Sequence, residues 1–224
     1  MGDAETVINV GAGAGSYEPT DRHVTAVEPS AAMRAQRPAH LARAVDAIAE
    51  ELPFADDSFD AAMATITVHQ WRDLRRGLRE MRRVTRGPLV ILAFDVDAFE
   101  KFWMMRYIPE MVAVAKSRDP SIAKLAELLD EPTAVTTVPI PFDCDDGFLE
   151  AFYGRPERIL EASVRRAQSA WAFLPEGSEA RAIEALRSDL ESGEWDRKHG
   201  ALRTQPEYLG TLRLLVAHPP SEPG

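Results

Sequence analysis

Residues Thr6–Gly15 read TVINVGAGAG, a short apolar run that passes directly into three glycines at alternate positions. The run Thr6–Val10 has the length and the β-branched content of a buried strand. Glycines after a strand let the backbone turn sharply and approach a ligand closely. A glycine-rich turn is also compatible with a plain tight turn, so the residues that follow have to identify the ligand.

A second predicted strand, His23–Val27, ends at Glu28, where a carboxylate can accept hydrogen bonds from ribose hydroxyls. The glycine turn and the acidic strand end together indicate a site for a cofactor that contains a nucleoside. The dinucleotide pattern G-x-G-x-x-G requires a third glycine where this chain has Ser16, which disfavours NAD without eliminating it. A solvated strand end is the plain alternative for Glu28.

The first half of the chain alternates strands with helices, which favours a mainly parallel sheet covered on both faces. Further strands are predicted at Phe59–Ile66 and Leu89–Phe94, and Ser30 is predicted to cap a short helix. Asp73 is predicted to cap a longer helix with one apolar face, which consists of Leu74, Leu78, Met81 and Val84.

The second half is mainly helical between two predicted strands, Thr133–Ile140 and Tyr208–Val216. Helices are predicted for Asp97–Lys116, with an interruption at Pro109, and for Ser121–Leu129. We expect three parts: a Rossmann-like core over residues 1–141, a helical insertion over 142–206 on the acceptor side, and a last core strand over 207–218. The tail Pro219–Gly224 is expected to be disordered.

Composition narrows the function classes. The chain has 224 residues and a formal net charge of −10, which disfavours a nucleic-acid substrate. It contains no apolar run of the roughly 20 residues that a membrane span needs. Residues 1–5 lack the basic and apolar regions of a signal peptide, so we expect a cytoplasmic protein. Cys144 is the only cysteine and the five histidines are scattered, so no metal site is predicted.

The sequence resembles the class I S-adenosylmethionine (SAM) dependent methyltransferases, in the methyltransferase-domain group that acts on small molecules. Four ordered pieces carry the resemblance. They are Val10–Gly15; Val27–Ser30 with Met33; Ala49–Phe54 with Asp57–Asp60; and Val68–Trp71 with Leu78, Glu80, Arg83 and Val84. The resemblance implies a doubly wound, mostly parallel α/β sheet of seven strands, with the last two antiparallel, a weak third-position strand near Arg43–Ala47, and the helical insertion between the last two strands.

The resemblance also implies SAM as the cofactor and a set of residues that contact it. These are Asn9, Gly11, Ala12, Gly13, Gly15, Glu28, Pro29, Met33, Ala49, Glu50 and Thr65. The chain departs from the family pattern at three places. Asn9 stands where the family usually has Asp or Glu, and Ile48 stands where an Asp often contacts adenine, with Asp46 as an alternative register. The stretch from Gly15 to Glu28 is short, so the usual first helix is expected to be reduced to a turn.

His69 is the candidate general base, because it follows a strand at the carboxyl edge where ligands bind open α/β sheets. A local packing role is the alternative. Candidate acceptor contacts are Trp71, Trp103, Tyr107, Tyr153 and Arg155. Arginine binds carboxylates bidentately and aromatic side chains can wall a pocket, although core packing and a surface salt bridge explain such residues equally well.

The sequence therefore predicts an enzyme that moves a methyl group from SAM to a small polar molecule, without a nucleic-acid or membrane partner. A homodimer is one assembly that the sequence leaves open. Three alternatives also stay open: a SAM-binding protein that uses the cofactor structurally or for a cyclisation, a non-enzymatic interaction module, and a nicotinamide enzyme.

Overall fold

The computed structural model describes residues 1–219, which divide into two compact units. The sheet unit comprises Met1–Phe94 and Ile122–Thr136 together with the chain from Arg213 onward. The helical unit comprises Asp95–Ser121 and Thr137–Leu212. The latter contains the whole of the expected insertion, residues 142–206. All but the first residue of the expected disordered tail lie outside the described residues.

The described residues contain eight strands: β1 (Thr6–Val10), β2 (His23–Val27), β3 (Ala61–Thr65), β4 (Leu89–Phe94), β5 (Thr133–Thr137), β6 (Ile140–Pro141), β7 (Glu207–Tyr208) and β8 (Leu212–Ala217). Six of them form one sheet in the order β2-β1-β3-β4-β8-β5, and β6 pairs with β7 in the helical unit. This arrangement confirms the predicted Rossmann-like sheet, with the helical segments between β5 and β8 as the insertion.

The first four sheet strands are parallel, as the registers of their pairs show. Val7 of β1 pairs in parallel with Val24 of β2 and with Ala61 of β3, and Ala62 pairs with Leu89 of β4. Strand β1 is buried from Val7 to Val10, as a parallel strand between two layers must be, and Asn9 is the one polar residue in that stretch. The carboxyl ends of β1, β2 and β3 therefore meet at one edge of the sheet.

The sheet has six strands within the described residues instead of the seven implied by the resemblance. Near the expected third-position strand, only Val45 forms a parallel bridge, to Val27 at the edge of β2. Val45 N donates to Ala26 O, and Glu28 N donates to Val45 O. Val45 is the only β-branched residue of the segment Arg43–Ala47, so few side chains there favour a longer ladder.

The helices are α1 (Ala31–Ala35), α2 (Leu74–Arg83), α3 (Glu110–Arg118), α4 (Ile122–Leu129), α5 (Ala162–Arg166), α6 (Ser178–Glu191) and α7 (Glu194–His199). Both predicted caps are confirmed: Ser30 Oγ accepts from Met33 N at 3.3 Å, and Asp73 Oδ1 accepts from Arg76 N at 3.0 Å. Residues 11–22 contain turns and no helix, as expected from their short length. No helix in residues 1–219 is long and apolar enough to cross a membrane.

Three predicted elements are interrupted where the sequence places a proline or a glycine. The stretch Asp97–Lys116 forms two short 3₁₀ turns, and α3 begins only after Pro109, because a proline disfavours helical geometry in the residue before it. Pro139 separates β5 from β6, since proline cannot donate to a ladder. Gly210 lies between β7 and β8, which together replace the single predicted strand Tyr208–Val216.

Each unit has its own core. In the sheet unit, the apolar face of α2 packs on the sheet, with Leu78, Met81 and Val84 almost fully buried as predicted. In the helical unit, Trp103 and Trp195 meet edge to face at 5.3 Å, and the ring of Tyr153 stacks on that of Tyr208 at 5.0 Å. Aromatic pairs of these geometries add to the stabilisation that comes from burial.

Candidate functional site

The glycine turn after β1 folds back over the end of β2. Gly11 N and Ala12 N both donate to Val27 O at 2.9 Å, which bends the chain sharply at the carboxyl end of β1. The φ angles of Gly11, Gly13 and Gly15 are 76°, 53° and 93°, in the left-handed region. Residues with a Cβ adopt this region at a cost, so the turn depends on glycine.

Gly11 also makes a close approach to the turn that follows β3. A Cβ at position 11 would lie only 2.8 Å from Cγ2 of Thr67 and closer still to its hydroxyl oxygen. The residue before Thr67, Ile66, has a φ of 50°, which is rare for a β-branched residue. The short 3₁₀ turn Val68–Gln70, which carries His69, is thus anchored directly beside the glycine turn.

Glu28 links the glycine turn to the start of α1. Its side chain is buried, with the residue 7% exposed, and its two oxygens accept hydrogen bonds from Gly13 N and Ser30 N, each at 2.8 Å. A carboxylate oxygen has two lone pairs, so each oxygen can still accept a bond from a ligand hydroxyl. The predicted role in holding a ribose is compatible with this geometry.

Asn9, near the end of β1, forms a buried polar cluster with Glu18 and Arg37. Glu18 and Arg37 were not predicted from the sequence to be part of it. Asn9 is 3% exposed, and its Nδ2 donates to Glu18 Oε1 at 3.1 Å. Glu18 in turn forms a salt bridge with Arg37 at 2.8 Å, with both side chains almost fully buried. Asn9 Oδ1 is buried and has no hydrogen-bond partner among the described residues. One feature of the sequence could have pointed to Glu18: Asn9 replaces the usual carboxylate, and the shortened segment that follows contains this acidic residue.

The other predicted cofactor contacts fall into two groups. Met33 is 37% exposed, and its Cε lies 3.3 Å from the position that a Cβ on Gly13 would occupy, while Pro29 is exposed nearby in sequence. Ala49 and Glu50 are buried instead against α2, where Glu50 Oε1 accepts from Asp73 N at 3.0 Å. Thr65 ends β3 and is half-buried. Cofactor contact by these residues stays a prediction.

The two candidates that follow β3 have different surroundings. His69 is half-buried on the 3₁₀ turn beside the glycine turn. The ring of Trp71 lies over Gly77 of α2, with its Cε3 2.5 Å from where a Cβ on that glycine would lie. Gly77 thus makes room for the indole, which packs against the core of the sheet unit. The acceptor contact of Trp71 stays a prediction.

The four candidates in the helical unit have polar groups that bond within that unit. Trp103 Nε1 donates to Tyr153 O at 2.9 Å, and the Tyr107 hydroxyl donates to Asp189 at 2.8 Å. Burial, followed by the nearby Asp189 carboxylate, raises the pKa of Tyr107 well above its ordinary value. Burial likewise raises the pKa of Tyr153, whose hydroxyl donates to a backbone carbonyl. Arg155 donates to two backbone carbonyls, so acceptor binding by these four residues stays a prediction.

Comparison with known proteins shows which family the first part of the sheet unit resembles. Residues 8–94 match the family model described as a methyltransferase domain. A demethylmenaquinone methyltransferase of Corynebacterium efficiens is 37% identical over 84 residues, which cover 34% of this chain and 36% of that protein. The chain thus matches about a third of the length of the curated relatives.

Solved structures extend the similarity to almost the whole chain. A protein described as a methyltransferase of an antibiotic biosynthesis pathway in Anabaena variabilis superposes with a TM-score of 0.85 and 29% identity, covering 97% of this chain and 92% of that one. A SAM-dependent methyltransferase of Thermotoga maritima shares the fold with a TM-score of 0.57 and 17% identity, covering 97% of this chain and 83% of that one.

The residues at the carboxyl edge of the sheet fit SAM as the cofactor. SAM carries hydroxyl groups on its ribose and an ammonium group on its amino-acid part, and both need hydrogen-bond acceptors. Glu28 offers buried carboxylate oxygens, and Asn9 Oδ1 is a buried acceptor whose hydrogen-bonding capacity is unused among the described residues. The fold, the family match and this donor and acceptor pattern agree. Residues 8–94 thus match a methyltransferase domain, and the chain is similar to class I SAM-dependent methyltransferases.

Proposed function

We propose that this chain transfers a methyl group from SAM to a small polar molecule. The observation that carries the proposal is the glycine turn. Glu28 accepts a hydrogen bond from Gly13 N in this turn, and Thr67 packs closely against Gly11. When bound, SAM supplies an electrophilic methyl group on a sulfonium sulfur. The protein has to hold that cofactor, orient the acceptor and exclude water.

On the cofactor side, the backbone of the turn allows close approach and Glu28 receives the ribose hydroxyls. Glu28 is well suited to this task because its orientation is set by two backbone N–H groups before any ligand arrives. A side chain held in this way loses little conformational freedom on binding, which favours affinity.

We further propose that His69 acts as the general base when the acceptor has to lose a proton. Its imidazole would take that proton as the acceptor atom attacks the methyl group. The contact between Thr67 and Gly11 supports this role, because it holds the turn that carries His69 beside the glycine turn.

The acceptor class follows from composition and from the extent of the family match. The chain is acidic, with a net charge of −10, so a nucleic-acid acceptor is disfavoured. A quinol-type aromatic acceptor is the second candidate, since the curated relatives are named demethylmenaquinone methyltransferases. That match covers only about a third of this chain, so we favour a polar metabolite. Action in the cytoplasm, with a homodimer as one assembly, belongs to the same proposal.

The test incubates the protein with methyl-labelled SAM and a cell extract separated into aqueous metabolites, organic-soluble molecules and macromolecules. Label in an aqueous compound that chromatography separates from SAM and its breakdown products, and that is absent without the protein, supports a polar acceptor, whereas label in the organic fraction supports a quinol. Label confined to macromolecules would contradict both candidates. Tight SAM binding without transfer of label would favour a structural or cyclase-like use of the cofactor, and no SAM binding would favour an interaction module.

Once an acceptor is known, His69→Ala tests the base. We expect kcat to fall by roughly 10²–10⁴-fold with little change in SAM affinity. His40→Ala, a change at an exposed histidine of the sheet unit, is the matched control and should leave kcat unchanged. A loss that appears mainly in the acceptor KM would assign His69 to binding instead.

A further inference from the structure

Strand β5 is the last strand of the six-stranded sheet, and its outer edge is open. The sheet order places β8 on one side of β5, and within residues 1–219 no further strand follows on the other side. Ala134, Val135 and Thr136 are all exposed, and Val135 is 45% exposed. Because successive residues of a strand point to opposite faces, β5 is uncovered on both faces as well as at its edge.

This edge lacks the features that protect an edge strand from other chains. An open edge offers a row of backbone N–H and C=O groups, which proteins usually guard with charged side chains or with cover. The stretch from Pro132 to Phe142 contains no charged residue, in a chain that is 28% charged. At the opposite edge of the sheet, by contrast, Val45 pairs with Val27 of β2. The edge of β5 is therefore suited to pairing with another strand.

Two backbone hydrogen bonds show which residues of β5 face the open edge. Val138 N donates to Leu212 O at 2.9 Å, and His218 N donates to Pro132 O at 3.1 Å. The partner's number rises as the number along β5 falls, so β5 and β8 are antiparallel. Backbone groups alternate between the two sides of a strand, and positions 132 and 138 both face β8. The residues with odd numbers therefore direct their N–H and C=O groups outward, and these are Thr133, Val135 and Thr137.

The outward groups have the spacing that lets β5 pair with a second copy of itself. With a two-fold axis through Val135, antiparallel pairing places Val135 opposite its own copy and Thr133 opposite Thr137 of the second copy. Each of these three residues then donates one hydrogen bond and accepts one, as residues of a hydrogen-bonded pair do. A register shifted by two residues would leave outward groups at the strand ends without partners.

Side chains and charge favour a copy of this chain as the occupant of the edge. Val135 would face Val135, and Thr133 would face Thr137, and such β-branched pairs stabilise neighbouring strands. The net charge of −10 makes two copies repel each other, and an uncharged strand is where their close approach costs least. Pro132 and Pro139 limit the pairing to a length that the copy matches. Since both copies use the same strand, the assembly closes at two.

We infer that this chain forms a symmetric dimer in which β5 pairs antiparallel with β5 of a second copy, so that the two six-stranded sheets join edge to edge. The inference assigns a surface to the homodimer that the proposed function leaves open, and it does not depend on methyl transfer. A contact through one short strand is small, so the dissociation constant should be of roughly micromolar order.

Sedimentation velocity from about 0.1 to about 100 µM tests for the dimer, and Val135→Lys tests its surface. The variant places two lysines opposite each other on the two-fold axis, so the dissociation constant should rise by roughly 10-fold or more. Phe173→Lys adds the same charge at another exposed apolar residue and should leave the dissociation constant unchanged. Circular dichroism and calorimetry with SAM check that both variants are folded.

A cysteine on the two-fold axis tests the register directly. A hydrogen-bonded antiparallel pair holds its Cα atoms about 5.5 Å apart, which is within the range of a disulfide. With Cys144→Ser as the background, Val135→Cys should form a disulfide between two chains in the presence of diamide. Ala134→Cys, at the adjacent exposed position, faces Thr136 of the second copy and should form little. This comparison also decides the matter if Val135→Lys fails to fold.

Three results would overturn the inference: a wild-type monomer at every concentration, a dimer that Val135→Lys leaves intact, or equal cross-linking by Val135→Cys and Ala134→Cys. None of them affects SAM binding or methyl transfer, so the proposed function would stand. A dimer linked through β5 that binds SAM and transfers no methyl group would overturn the proposed function and leave this inference intact.

Discussion

Gly11→Ala is the substitution whose effect the structure determines most directly. The new methyl group would lie against Thr67, 2.8 Å from Cγ2 and 2.9 Å from Cβ, and the residue would have to keep a φ of 76°. Both penalties act at the same point, where the glycine turn meets the turn that carries His69. We therefore expect the variant to lose stability and, through displacement of the turn, affinity for SAM.

The magnitude can be worked out from these two terms. Left-handed geometry costs a residue with a Cβ about 1–2 kcal/mol, and overpacking of a well-filled site costs about 1–3 kcal/mol. The free energy of unfolding should fall by roughly 2–5 kcal/mol in total. For a chain of this size, that loss corresponds to a fall in melting temperature of roughly 4–20 °C.

Urea unfolding, monitored by circular dichroism, measures the fall in the free energy of unfolding. A matched substitution separates the backbone term from the steric term. Gly177 has a φ of 78°, and no other side chain or distant backbone of the described residues lies within 4 Å of where its Cβ would be, so Gly177→Ala should show only the backbone term. Adding Thr67→Ala to Gly11→Ala should recover about 1 kcal/mol or more of the steric term. Equal losses for the two glycine variants, together with additive effects of Gly11→Ala and Thr67→Ala, would refute the close contact.

Three other predictions follow from the structure. Glu28→Ala should weaken SAM binding by roughly 10- to 100-fold in calorimetry, and unchanged affinity in a folded variant would contradict the ribose contact. Hydrogen bonds from the Thr6 backbone and hydroxyl, and then from Arg86, lower the pKa of Asp60 to about 2. Its ionisation therefore stabilises the fold above pH ~4, the ordinary carboxyl pKa, and this contribution is lost as the pH falls towards 2. Urea unfolding across this range should show a shallower pH dependence for Asp60→Asn, and an unchanged slope would exclude this carboxylate. Residues 142–206 should gain hydrogen-exchange protection when SAM product and acceptor saturate the protein, and no change would count against the expected role of this insertion in acceptor binding.

Features that depend on neighbours in sequence were predictable. The Ser30 and Asp73 caps each join residues three positions apart, and the apolar face of α2 repeats with the helical period. The glycine turn follows its strand directly, so its conformation is determined locally by residues that tolerate positive φ. The mainly parallel character of the sheet could be inferred because its strands alternate with helical segments along the chain.

Features that depend on contacts between distant segments needed the tertiary structure. Glu18 and Arg37 are 19 residues apart, and neither belongs to a motif, so only the fold shows that Glu18 bonds to Asn9 and that Arg37 pairs with Glu18. The contact between Gly11 and Thr67 likewise joins the ends of two neighbouring strands. The sequence by itself determined the fold class, the cofactor family and the acidic strand end, because local propensity and motif spacing carry them. Only the tertiary structure decided which polar atoms are already paired and that Asn9 Oδ1 has no partner within residues 1–219, because hydrogen bonding in a buried site depends on side chains brought together from separate segments.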